Sequence, residues 1–93
     1  MEFNENQKHF LFELILDHFP KDEKQAFIFM NAYNKIAGVL GHFQKADKDW
    51  KKEEVSAVSD LLLSKIKKTK KENKIEYMQK INIIFTNFLK EAN

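Results

Sequence analysis

The chain has 93 residues, 43% apolar and 32% charged, with a formal net charge of +2 and no cysteine. That mix belongs to a folded chain rather than a disordered one, and the length suits one helical domain over 1–93. It excludes a disulfide framework and a thiolate zinc site, and no stretch approaches the roughly 20 uncharged residues needed to cross a bilayer.

Two glycines and one proline leave almost no turn chemistry. Hairpin dipeptides such as Asn-Gly are absent, so the expected class is all-α. All sixteen basic residues are lysine. Together with abundant Asn, Ile and Phe, this points to an AT-rich coding sequence. It also has a chemical consequence: without arginine the chain lacks the planar fork that reads guanine and clamps phosphate. The opening residues Met1 to Glu5 are acidic, and the apolar run behind them is broken by Glu13 and Asp17. A secretory leader is therefore not expected, and the expected location is cytoplasmic.

The first helix is expected over 4–19. Asn4 and Gln7 have capping-box spacing, and Pro20 closes the segment from behind. Phe3, Phe10, Leu11, Leu14 and Ile15 form its core stripe. Phe12, Leu16 and Phe19 widen that stripe beyond what one neighbour needs. The second helix is expected over 22–44, opened by Asp22 with Gln25 and ending between Gly41 and Asp47. Its apolar arc spans roughly 200°, about twice that of an ordinary surface helix. It is therefore expected at the centre of the bundle. A third helix over 50–70 follows, with Asp49 as N-cap, Glu53 and Glu54 in the first turn, and a stripe of Val55, Val58, Leu62, Ile66 and Thr69.

No glycine or proline separates this helix from the C-terminal one. Continuing its heptad seam would put Glu72, Glu76 and Gln79 in the core, whereas the apolar residues fall at Met78, Ile81, Phe85 and Phe88. The phase slip predicts a turn near 70–74, with Asn73 and Glu76 capping a fourth helix over 73–91. One long bent helix is the alternative. Four helices with short connections predict an antiparallel four-helix bundle.

Four features are candidates for function. Glu5, His9, Glu13 and Asp17 lie four apart on one side of the first helix, but that side is its polar one. No Glu-x-x-His pair accompanies them, so no metal is expected. His9 and His18 fall on opposite sides of their helix. No serine stands near a histidine and no glycine-rich phosphate loop occurs, so neither a catalytic site nor a cofactor is expected. Lys65, Lys67, Lys68, Lys70, Lys71 and Lys74 form the densest charge cluster, suited either to phosphates of nucleic acid or to solvent at a helix end. Lastly, Gly38 and Gly41 share the polar wedge of the second helix with Asn31, Asn34, His42 and Phe27. Glycine costs about 1 kcal/mol inside a helix, so the pair suggests either close approach of another backbone or a fraying helix end, with Gly41 as C-cap and Gly38 tolerated nearby.

The expectation for function is a non-enzymatic interaction protein, self-associating as a homodimer or bound to a protein partner. Its surface is expected to comprise Phe12, Leu16, Phe19, Phe27, Asn31, Asn34, Gly38, Gly41 and His42. In size, charge and helical layout the chain resembles small immunity, antitoxin or phage regulatory proteins. The alternative is a nucleic-acid-binding accessory protein that uses the lysine cluster.

Overall fold

The computed structural model describes residues 1–38 and 49–91, and its elements are four helices: α1 (Glu5–Asp17), α2 (Glu23–Ala37), α3 (Lys52–Lys68) and α4 (Glu72–Glu91). The all-α bundle predicted from the sequence is what forms. Helix directions can be followed through ring contacts. Phe3 meets Phe85 with ring centroids 5.4 Å apart, and Phe10 meets Tyr77 at 5.7 Å. As α1 advances, its partners on α4 therefore recede, so the two helices run antiparallel. Ser59 and Asn82, joined by a 2.7 Å hydrogen bond, tie α3 to α4 about the short turn at 69–71. The phase slip between 69 and 78 does mark a helical hairpin rather than one bent helix.

The core is one cluster built from all four helices. Leu11, Leu14 and Ile15 come from α1, and Phe29, Ala32 and Ile36 from α2. Val55, Val58 and Leu62 come from α3, and Met78, Ile81 and Phe85 from α4. Each set recurs at three- and four-residue spacing, the period at which side chains share one helix face. The stripes read from the sequence for α1, α3 and α4 match it closely. The central position does not. α3, not α2, packs substantially against each of the other three helices.

Helix ends also differ in detail. Asn4 caps α1 as expected: its side chain accepts from the Gln7 amide at 2.8 Å, and Gln7 returns the bond at 2.9 Å. Asp22 likewise caps α2 by accepting from the Gln25 amide at 3.0 Å. α2, however, stops at Ala37 instead of reaching 44, because Gly38 takes the left-handed conformation (φ 76°) and donates to the Asn34 carbonyl at 2.9 Å. Residues 39–44 of the expected helix lie outside the described residues. The N-cap of α3 is Lys51 rather than Asp49, with Glu54 accepting from the Lys51 amide at 3.0 Å. Asn73 sits inside α4 rather than capping it, and its side chain accepts from the adjacent Lys74 amide at 2.9 Å.

Candidate functional site

Three regions carry chemistry, and each follows from how the helices are rotated in the bundle. The first is the outer seam of α1 and α2. Phe12 of α1 lies against Tyr33 of α2 with ring centroids 4.6 Å apart, which fixes the faces the two helices turn toward each other. One turn nearer the connecting turn, Leu16 on α1 and Met30 on α2 extend the same seam outward, 59% and 53% exposed. Phe27, a further turn along α2, is 68% exposed, and Phe19 in the connection is 37% exposed. Counting 100° per residue from Tyr33, Met30, Phe27, Asn31 and Asn34 share the side of α2 turned away from its buried residues Phe29, Ala32 and Ile36.

Of the surface expected from sequence, Leu16 and Phe19 extend along the α1 side of this seam, whereas Phe27, Asn31, Asn34 and Gly38 lie on the outer side of α2, with Asn31 and Asn34 half-buried. Phe12 is instead partly buried against the core. Gly41 and His42 lie outside the described residues. At Gly38 an added Cβ would meet nothing within 4 Å. Among the described residues the glycine has no close neighbour, and its positive φ accounts for it. From residue 26 to residue 34 the chain carries no charge at all.

The second region is a buried ion pair that sequence reading missed. The Lys35 ammonium lies 2.6 Å from Glu54 Oε1, with side chains 6% and 2% exposed. It also donates to the Asp49 carbonyl at 3.0 Å. Lys35 sits near the C-terminus of α2 and Glu54 in the first turn of α3, each placed favourably for its helix dipole. Sequence alone puts Lys35 on the polar wedge of Asn31 and Asn34, because nothing short of the packing of α2 on α3 brings residues 19 positions apart together. The satisfied pair holds α2 and the start of α3 together, which is a structural role.

The third region is a cleft of about 570 Å³ between the second half of α1 and the α3–α4 turn. Phe10, Leu14, Tyr77 and Met78 give it apolar walls, Glu13 and Asp17 line it from α1, and Lys65 and Lys74 line it from α3 and α4. His18, at the C-cap of α1, shares this cleft, and its Nδ1 lies 3.1 Å from the Leu14 carbonyl. The carbonyl can only accept, so Nδ1 carries the proton in that bond. The six clustered lysines 65, 67, 68, 70, 71 and 74 are all exposed around the α3–α4 turn. Lys65 and Lys74 therefore share their cleft with two carboxylates.

Among the described residues no three histidines or carboxylates come together in a metal-sized group, and no helix is long and apolar enough to cross a membrane. His9 of the expected acidic row lies edge-on to Phe12, with ring centroids 6.4 Å apart. No protein-family model matches the chain, and neither a curated protein nor a solved structure does so either.

Proposed function

We propose that the chain is a non-enzymatic cytoplasmic interaction protein that engages protein through the outer α1–α2 seam, with a second copy of itself as the first partner. The observation carrying this is the set of Leu16, Phe27 and Met30, each more than half exposed, of which Phe27 and Met30 stand on the charge-free stretch 26–34 of α2. Clusters of large exposed apolar side chains mark interaction surfaces. Asn31 and Asn34 favour self-pairing, because an amide carries both donor and acceptor and is satisfied by its own copy across a two-fold axis. No like charges stand between positions 26 and 34 to oppose it.

Burying the remaining exposed parts of Leu16, Phe19, Phe27 and Met30 on both copies contributes about 6–13 kcal/mol. Association costs about 4–15 kcal/mol, so these side chains alone give a weak dimer, with dissociation constants on the order of 10–100 µM once the polar contacts are added. A role of the immunity, antitoxin or phage-regulator kind, in which a small protein occupies another protein's surface, accords with such a face.

Sedimentation of wild type and of the Leu16→Asp, Phe27→Asp double variant tests the proposal. Both side chains are exposed, so the variant should keep its helical signal and remain monomeric while wild type dimerises. Wild type that stays monomeric at about ten times the expected dissociation constant removes the second copy as partner. Polyanion binding by the lysine cluster has less support, since Glu13 and Asp17 line the same cleft as Lys65 and Lys74 and would repel phosphate.

A further inference from the structure

We propose that the cleft between α1 and the α3–α4 turn is a second binding site, made for a small amphipathic zwitterion. Such a ligand would present a cationic group to Glu13 and Asp17, an anionic group to Lys65 and Lys74, and an apolar body to the walls between. The site goes beyond the α1–α2 seam and shares none of its residues.

Size is the first support. At about 570 Å³ the cleft falls within the range of small-molecule pockets, about 300–1,000 Å³. Composition is the second. Leu14 and Met78 are core residues that show at its base, while Phe10 and Tyr77 meet edge-on beside them with a centroid distance of 5.7 Å. A wall of this kind holds an aromatic or branched apolar group.

Charge decides among ligands. Glu13 and Asp17 stand one helical turn apart on α1, while Lys65 lies in the last turn of α3 and Lys74 in the first of α4. Neither carboxylate and neither ammonium has an ion-pair partner among the described residues. Opposite charges thus line one cleft without neutralising each other. A neutral apolar ligand would strip water from these groups and return nothing. A simple anion would be drawn to the lysines but repelled by the carboxylates, and a simple cation would meet the reverse. Only a ligand bearing both charges, spaced by an apolar body, complements both walls. Asn73, on the lysine side, adds an amide N–H that suits a carboxylate, and the Thr69 hydroxyl, which donates to the Lys65 carbonyl, can still accept.

The dipeptide Lys-Trp is a suitable probe: two amino groups at one end, a carboxylate at the other, and an indole. Titrated into isotope-labelled full-length protein, it should shift the amide resonances of residues 13–18 and 69–78 saturably. Its dissociation constant should be on the order of 1 mM or tighter and should weaken with added salt. Glu13→Gln with Asp17→Asn, and separately Lys65→Gln with Lys74→Gln, should each weaken binding about tenfold. All four positions are solvent-facing, and each pair is scored on its own, so a folding defect in one leaves the other as a test. N-acetyltryptophanamide, which has the indole and no charge, and inorganic phosphate, which has charge and no apolar body, should bind at least about tenfold more weakly. Absence of saturable shifts, unchanged affinity in both paired variants, or equal binding of either control would each overturn the proposal.

Discussion

The buried Lys35–Glu54 pair offers the sharpest test of how this bundle is held. Lys35 makes two contacts, to Glu54 at 2.6 Å and to the Asp49 carbonyl at 3.0 Å. Glu54 makes two as well, since it also accepts from the Lys51 amide at 3.0 Å. Removing one partner of a buried pair leaves the other charge uncompensated, at a cost of about 3–5 kcal/mol. A chain of this length has a total stability of about 5–14 kcal/mol, so either Lys35→Met or Glu54→Met should consume a large share of it. Using about 4–8 °C per kcal/mol for a domain of this size, the midpoint should fall by at least about 12 °C.

The double variant Lys35→Met, Glu54→Met separates pairing from packing. It leaves no buried charge and keeps the side-chain volume close, so it should lose only the cap on Lys51 and the bond to Asp49, about 1–2 kcal/mol together. The double variant should therefore be more stable than either single one, with a coupling energy above about 2 kcal/mol. Urea denaturation followed by circular dichroism measures all four corners of the cycle. Single variants that each cost under about 1 kcal/mol, with near-additive effects in the double, would refute the reasoning: the pair would then behave as a solvated surface contact.

Two contrasts probe the rest of the fold. Phe85 is fully buried and Phe27 is 68% exposed, so Phe85→Ala should cost about 3–5 kcal/mol and Phe27→Ala about 0.5 kcal/mol or less in the monomer by denaturant titration. Gly38→Ala should destabilise by about 1–2 kcal/mol although nothing lies within 4 Å of the added methyl, because φ is +76°. A neutral or stabilising outcome would show that α2 does not end at this residue.

Much of the fold was legible in the sequence because apolar spacing and caps are local. The stripes of α1 and α4 and the caps at Asn4 and Asp22 depend on residues three or four apart, and those interactions hold whatever the neighbours do. Errors arose where the outcome depends on a partner. The Asn73 capping box is a valid pattern, yet α4 starts at Glu72, because the turn after Thr69 is long enough to close with Lys71 as its last residue. The sequence points to Gly41 as the C-cap of α2 with Gly38 tolerated inside the helix, yet Gly38 takes the left-handed conformation first, and nothing in the spacing of the two says that it would.

Misplacing the centre of the bundle has a deeper cause. Apolar breadth in the sequence implies burial, which would make α2 the centre and α3 an ordinary amphipathic helix. Yet α2 keeps Phe27 and Met30 in solvent, while two buried positions of α3 are polar, Glu54 and Ser59. Each is satisfied by a neighbour on a different side: Glu54 by Lys35 of α2, Ser59 by Asn82 of α4. A helix touched on several sides can therefore look half polar in sequence, provided that the polar residues meet partners. These two links also do something that Val55, Val58 and Leu62 cannot. Apolar contacts tolerate rotation and sliding, whereas a hydrogen-bonded partner is lost when either occurs. With α3 pinned in rotation against both α2 and α4, the breadth of α2 is surplus to the fold. That surplus leaves Phe27 and Met30 exposed on its outer face.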